Sequence, residues 1–290
     1  MNPKSIETGV APTTGRLPNF IIIGGMKCGT TSLHRYLEKH PDVFMSKKKE
    51  LKFFVDAKNG TWSRGLDWYR SQFAGAGDAA VVGEATPEYT KNTVFPGVAE
   101  RMSSVLPDAR LLYILRDPIQ RMLSHYVHLC SSGRERRSPT KALTAKGRNA
   151  YLDCSSYYLQ LEPYLELYPR SRIHITTLEE LQADPAKTMR SIFRFLDIDD
   201  EFFTDAFVKV YHSSTKKRRR TRVDRILERV LPTSMAKRVR SMPRFDSLLQ
   251  KPVEKPTLPD SARGEIRRRL SEDVARLREL TGRDFSKWSI

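Results

Sequence analysis

Short apolar runs alternate with amphipathic stretches along most of this chain, the signature of strands separated by helices. Phe20–Ile23 is a continuous apolar run that predicts a buried strand. Over Thr30–Lys39, Leu33, Tyr36 and Leu37 recur at helical spacing. Ala80–Gly83, Leu111–Leu115 and Ile173–Thr177 predict three more strands. A helix is expected after Pro118, with Met122, Leu123 and Tyr126 on it and the proline in its first turn, where a missing N–H costs little. Further helices are expected over Tyr157–Tyr168, Pro185–Leu196 and within Pro259–Trp288. In the last, Ile266, Leu270, Val274, Leu277 and Leu280 keep a helical period until Gly282 stops it. Strands separated by helices pair in parallel, so the expected fold is α/β, a three-layer parallel sheet. Ser131–Asn149 and Lys251–Asp260 are polar and punctuated by Pro or Gly, and read as loops. Residues 1–18 read as a flexible tail and 19–290 as one domain.

Charge adds a partner to this picture. The 290 residues carry 51 Lys and Arg against 34 Asp and Glu, a formal +17, which calls for an anionic partner: nucleic acid, membrane surface, phosphorylated cofactor or acidic substrate. No apolar run approaches the roughly 20 residues that a membrane-spanning helix needs. The N-terminal segment lacks the apolar core of a signal peptide. Cys28, Cys130 and Cys154 show no CxxC spacing, which argues against a disulfide framework or a zinc site. A cytoplasmic protein is expected.

Gly24-Gly25-Met26-Lys27-Cys28-Gly29-Thr30-Thr31-Ser32 follows the first strand and opens the first helix. Glycines there allow a tight turn, inward N–H groups and a helix N-terminus attract an anion, and the arrangement is a phosphate-binding loop. It departs from the nucleotide-hydrolase pattern, in which Lys directly follows the last Gly. Here Thr30 follows Gly29 and the cation is Lys27. Asp117 after the Leu111–Leu115 strand is the one arguable magnesium ligand. The loop suits a nucleotide whose 5′ anionic group needs no metal, with Lys27 supplying the positive charge.

The Lys-x-Gly-Thr-Thr core resembles that of the sulfotransferases that use 3′-phosphoadenosine 5′-phosphosulfate (PAPS). The resemblance implies that Lys27, Gly29, Thr30, Thr31 and Ser32 hold the 5′-phosphosulfate; Cys28 is assigned to the same cofactor-binding set, its side chain a small one in the loop. In Leu111–His128, Arg116 lies where a parallel strand ends and ligands of such sheets bind. Its guanidinium suits a phosphate, although an Arg-Asp pair capping a helix start reads equally well. Arg-Asp-Pro followed by Ser-x-Tyr resembles the family's 3′-phosphate element, which implies that Arg116 and Ser124 bind that phosphate and that Arg121 is structural or supporting. His128, one turn after Ser124, matches a position near the reacting sulfate in the N-sulfotransferase branch and is a candidate catalytic residue.

Lys47-Lys48-Lys49-Glu50-Leu51-Lys52-Phe53-Phe54 sets one carboxylate among four lysines, and Phe53-Phe54 would anchor it to the core. Lys-Glu-x-x-Phe-Phe resembles the carbohydrate sulfotransferases, which implies Glu50 as the base. Those enzymes often carry His where Lys52 stands, so Lys52 is assigned to the acceptor side with its role open. Gly83-Glu84-Ala85-Thr86-Pro87-Glu88-Tyr89 resembles a Glu-Lys-Ser-Pro-x-Tyr segment near the acceptor cleft, making Thr86 and Tyr89 candidate lining residues. Ala85 replaces the Lys that holds sulfated sugar in heparan-type enzymes, which weighs against a heparan-like acceptor.

Residues 216–244 hold 12 Lys and Arg against Asp224 and Glu228. Val223, Ile226, Leu227, Val230 and Leu231 have helical spacing there, so a basic amphipathic helix facing an anionic membrane or substrate is one reading. By resemblance, Lys216, Lys217 and Arg218 close over the cofactor. The expectation is a PAPS-dependent sulfotransferase of class EC 2.8.2 with a nucleotide-binding loop. It would act on a hydroxyl or amine of a carbohydrate, glycosylated or small natural-product acceptor and release adenosine 3′,5′-bisphosphate, without metal or nucleic acid. A P-loop nucleoside kinase, or a basic membrane- or nucleic-acid-binding module, are the other classes that remain open.

Overall fold

The computed structural model describes residues 15–208, 218–220, 235, 250–252 and 256–290. Five strands form one sheet: β1 (Phe20–Gly24), β2 (Val43–Met45), β3 (Val81–Ala85), β4 (Arg110–Leu115) and β5 (Ile173–Thr177). Their order is β2-β3-β1-β4-β5 and every pairing is parallel. All residues of β1 and β3 are buried, as expected of strands covered on both faces. One covering layer holds α1 (Thr30–Leu37) and α9 (Pro185–Leu196), which meet through Tyr36, Phe193 and Phe207. The other holds α3 (Val98–Val105), α7 (Tyr157–Leu167) and the last helix, α10 (Asp260–Thr281), with α7 packed against both α3 and α10. Gly282 ends α10 at φ 64°, a left-handed cap that glycine adopts without a Cβ penalty.

The apolar pattern located four of the five strands, and β5 and α9 lie at the expected bounds. It overlooked β2, whose three residues are too few for a periodic signal, and the short helices α2 (Gly65–Ser71), α6 (Ala150–Asp153) and α8 (Leu178–Ala183), along with α3. Residues 15–18 are not wholly a free tail: Leu17 packs on the core, and a Cβ on Gly15 would meet the Arg70 carbonyl at 2.0 Å. Residues 1–14 of the expected tail lie outside the described residues. Lys251–Asp260 is no single loop either. It contains part of β7 (Gln250–Pro252), paired antiparallel with β6 (Arg218–Arg220), and the first residue of α10. Among the described residues no helix is long and apolar enough to cross a membrane.

The Ser131–Asn149 loop is also corrected. It contains α5 (Pro139–Leu143), whose Ala142 and Leu143 join α4 (Pro118–Ser131), α6 and α10 in a second apolar cluster around Met122, Leu152, Ile266 and Leu270. Glu135 fastens the polar part. Its carboxylate accepts from the Arg137 guanidinium at 2.6 and 3.0 Å, from the Arg136 and Arg137 N–H groups, and from Tyr151 Oη. The Arg137 side-chain bonds, against the cost of burial, hold this carboxyl down to about 2. A carboxyl lowered in the folded chain binds fewer protons there than in the unfolded chain. Its contribution is therefore complete above pH 4.5 and disappears as pH falls through about 2. Glu135→Gln is expected to lower the melting temperature at pH 6 and to flatten its decline between pH 5 and pH 3. Parallel wild-type and variant melts across that range check this.

Candidate active site

The glycine loop leaves the centre of the sheet between two neighbours. β1 ends at Gly24, where a Cβ would lie 2.0 Å from Thr90 Oγ1 and 3.0 Å from the Tyr113 ring, so only glycine fits. The Gly25 N–H donates to the Ile114 carbonyl at 2.7 Å and ties the loop to β4. Gly29, at φ 100°, is the N-cap of α1. No side chain caps this helix, and no acidic residue stands in its first turn. The N–H groups of Thr30, Thr31 and Ser32 belong to the turn that has no intrahelical carbonyl to bind, and an external anion suits them. This cradle fits a phosphosulfate.

The second motif meets the first. Arg116, half-buried at the end of β4, reaches back so that Nη1 donates to the Lys27 carbonyl at 3.4 Å. Tyr157 Oη donates to the Arg116 carbonyl at 2.7 Å and lies 3.6 Å from Cys28 Sγ. Sequence spacing offered no signal for Tyr157; only the packing of α7 brings it here. Asp117, the arguable magnesium ligand, instead caps α4 by accepting from the Gln120 N–H at 2.8 Å. It also accepts from the Ser289 N–H of the C-terminal segment. Arg116 and Asp117 thus part company, one serving the loop and the other the helix. Arg121 is fully buried and structural, donating to Ser155 Oγ at 2.5 Å and the Tyr151 carbonyl at 2.6 Å.

Ser124 lies on α4, buried, two turns after Arg116. His128 follows it on the same face, half-buried, with Nε2 3.3 Å from Arg134 Nη2. Cys28 does not face an anion. Its thiol is buried and, through desolvation, pushed up to about 11, so it stays a neutral thiol, while its N–H already binds the Gly25 carbonyl. The assignment of Cys28 to the cofactor is therefore corrected: it fills the loop.

The segment around Glu50 hangs from β3 and the turn after it by three backbone N–H groups. Glu50 donates to the Ala85 carbonyl at 3.0 Å. Lys52 donates to Thr86 Oγ1 at 3.2 Å and Phe53 to Tyr89 Oη at 2.9 Å. Glu84 is the hub: fully buried, it accepts from Tyr69, Tyr89 and Thr86 hydroxyls at 2.7 to 2.9 Å, and burial pushes its carboxyl above the usual range. Phe53 and Phe54 are buried, with Phe53 stacked on Tyr69 at 4.0 Å. Thr86 and Tyr89 were expected on the cleft wall; the structure corrects this. Both are fully buried beneath it, their hydroxyls held by Glu84 and the Lys52–Phe53 backbone.

This suspension holds a strained turn. Glu50 and Lys52 sit at φ 63° and 57°, and Lys27 at 74°, three of the five non-glycine residues in the left-handed region among those described. Such conformations persist where surrounding contacts over-determine them, and they gather at functional sites. Lys52 pairs with Glu88 at 3.3 Å, as does Lys91 at 3.6 Å. Burial opposes the Glu88 charge, but the two lysines outweigh it and hold the carboxyl below its usual range. Lys49 bridges the two halves of the site, with Nζ 3.1 Å from Glu50 Oε1 and 3.5 Å from Thr30 Oγ1. Lys216 and Lys217 lie outside the described residues. The strand carrying Arg218, β6, packs against α4.

The family model for the sulfotransferase domain matches residues 17–252. The membrane-associated sulfotransferase kil1 of Dictyostelium discoideum is 41% identical over 121 residues, 40% of this chain and 24% of that protein. The human bifunctional heparan sulfate N-deacetylase/N-sulfotransferase 2 is 30% identical over 205 residues, 64% of this chain and 22% of that one. Mouse heparan sulfate glucosamine 3-O-sulfotransferase 3A1 is 31% identical over 191 residues, 63% and 46%. The chain thus spans less than half the length of these curated relatives. The crystal structure of a sulfotransferase from Alicyclobacillus acidocaldarius superposes with a TM-score of 0.70 at 29% identity, covering 95% of this chain and all of that one.

Proposed function

The chain belongs to the sulfotransferase domain family, and on that premise we propose that it moves a sulfuryl group from PAPS to a hydroxyl or amine. A carbohydrate or glycosylated acceptor comes first and a small natural product second. The observation that carries the donor is the Arg116 guanidinium bonded to the Lys27 carbonyl of an uncapped glycine loop. Two elements far apart in sequence thereby meet, which supports a single donor held by both. The donor supplies the sulfuryl group and departs as adenosine 3′,5′-bisphosphate. The N–H groups of Thr30, Thr31 and Ser32 hold its 5′ end; Arg116 and Ser124 hold its 3′-phosphate.

An acceptor hydroxyl is a poor nucleophile until its proton is drawn off, and Glu50 is the base. Its turn is fixed through three backbone N–H groups by β3 and the turn after it, so the carboxylate is aimed before the acceptor arrives. Lys27 stabilises the charge that grows on the departing phosphate oxygen. His128, on α4 one turn after Ser124 with its ring beside Arg134, is assigned a part in catalysis. Lys52 meets the acceptor side, with Glu88 and Lys91 beside it. No metal enters this scheme. The basic segment 216–244, of which only residues 218–220 and 235 are described, is assigned to contact with the anionic cofactor or with an anionic membrane on its charge alone. The three unpaired cysteines fit a cytoplasmic protein.

Calorimetric titration tests the donor. Adenosine 3′,5′-bisphosphate is expected to bind at micromolar concentration without metal, and Arg116→Ala to weaken it by about tenfold or more, the worth of a charge-assisted hydrogen bond. Tight ATP–Mg²⁺ binding with no bisphosphate heat would move the chain to the nucleoside kinases and undo the mechanism.

A further inference from the structure

We propose that Lys49 is a catalytic residue shared between base and donor. Before the donor binds, its ammonium occupies Glu50; with a phosphosulfate in the glycine loop it turns to the sulfuryl oxygens and leaves Glu50 open to the acceptor proton. This rests on the sulfuryl-transfer reading above.

In extended chain, successive side chains point to opposite faces, so Lys49 and Glu50 would diverge. The left-handed Glu50, at φ 63°, breaks that alternation, and Nζ meets Oε1 at 3.1 Å. The same ammonium lies 3.5 Å from Thr30 Oγ1, in the first turn of α1, where the anion cradle is. Lys49 is mostly enclosed, its side chain 19% exposed, while the Glu50 side chain is 44% exposed and faces the solvent from which an acceptor comes. Lys47 and Lys48 are exposed outright. An ammonium has three donors, so Lys49 can move between a carboxylate and a sulfuryl group without losing its proton.

The consequence is order. A base held by an ammonium has that oxygen engaged and is slow to take a proton. A sulfuryl group in the loop offers anionic oxygens on the Thr30 side, and the ammonium is drawn to them. The acceptor proton then goes to Glu50, the acceptor oxygen or nitrogen forms its bond to sulfur, and the bond from sulfur to the 5′-phosphate breaks. The electron pair stays on the phosphate oxygen, beside Lys27. Lys49 keeps its proton throughout.

Equilibrium binding without acceptor tests this. Wild type, Lys49→Met, Glu50→Gln and the double variant are titrated with PAPS and with adenosine 3′,5′-bisphosphate, which lacks only the sulfuryl group. Bisphosphate affinity is expected to stay within about threefold across all four, because Lys49 serves the sulfuryl group. PAPS affinity is expected to fall about tenfold in Lys49→Met, the scale of one charge-assisted hydrogen bond. It should rise in Glu50→Gln, where the competing carboxylate is gone, and the rise should vanish in the double variant. Equal losses for both ligands in Lys49→Met, or a Glu50→Gln effect that persists without Lys49, would overturn the shared role while leaving the donor assignment intact. Failure of wild type to bind the bisphosphate would instead overturn the sulfuryl-transfer reading, and this inference with it.

Discussion

Glu50→Gln is expected to cut acceptor sulfation by about a thousandfold while bisphosphate affinity stays near wild type. Positioned general bases are worth about 10² to 10⁴ in rate, and an amide of the same shape offers no comparable basicity. The carboxylate is half-exposed and pairs with Lys49, whereas its segment is held through backbone N–H groups that the substitution leaves in place. The variant should therefore fold, bind the bisphosphate normally and fail in transfer. Single-turnover transfer from PAPS, measured beside bisphosphate calorimetry, separates the two. Near-normal turnover on a true acceptor would remove Glu50 from the mechanism.

Lys27→Ala is expected to lower kcat by about a hundredfold or more, the loss of one preorganised charge contact worth about 3 kcal/mol. The substitution removes charge but leaves the main-chain carbonyl that Arg116 binds. Alanine must still adopt φ near 74°, so some stability is lost as well. Lys27→Gly relieves that strain and serves as the control. If both variants lose kcat alike, charge is the cause; if Lys27→Gly restores it, backbone conformation is.

The contrast between Thr86 and Glu50 shows how far sequence reading reaches. Both stand in segments whose residue pattern resembles a sulfotransferase active region. Glu50 lies open to solvent, whereas Thr86 is buried beneath it with its hydroxyl on Glu84. A motif reports which residues travel together along the chain, and supporting residues travel with reacting ones. Glu84 gave no separate signal, because a buried carboxylate with three hydroxyl donors is assembled from Tyr69, Thr86 and Tyr89, and the pattern of one segment cannot reveal the donor from another. The same holds for Cys28, whose place in the glycine loop says nothing of where its thiol points.

By itself the sequence determined the repeating strand–helix order, the glycine loop that opens α1, and the cations and carboxylate from which the site is built. These depend on local periodicity, on backbone freedom at glycine and on residue chemistry, all carried by neighbours in the chain. Only the tertiary structure decided that β1 lies between β3 and β4, so that Lys27 and Arg116 meet across 89 residues of sequence. It alone suspended the Glu50 turn from β3 and set Lys49 between Glu50 and Thr30. Parallel pairing and burial choose partners through contacts between distant segments, and a linear pattern does not encode which of several compatible strands will be adjacent.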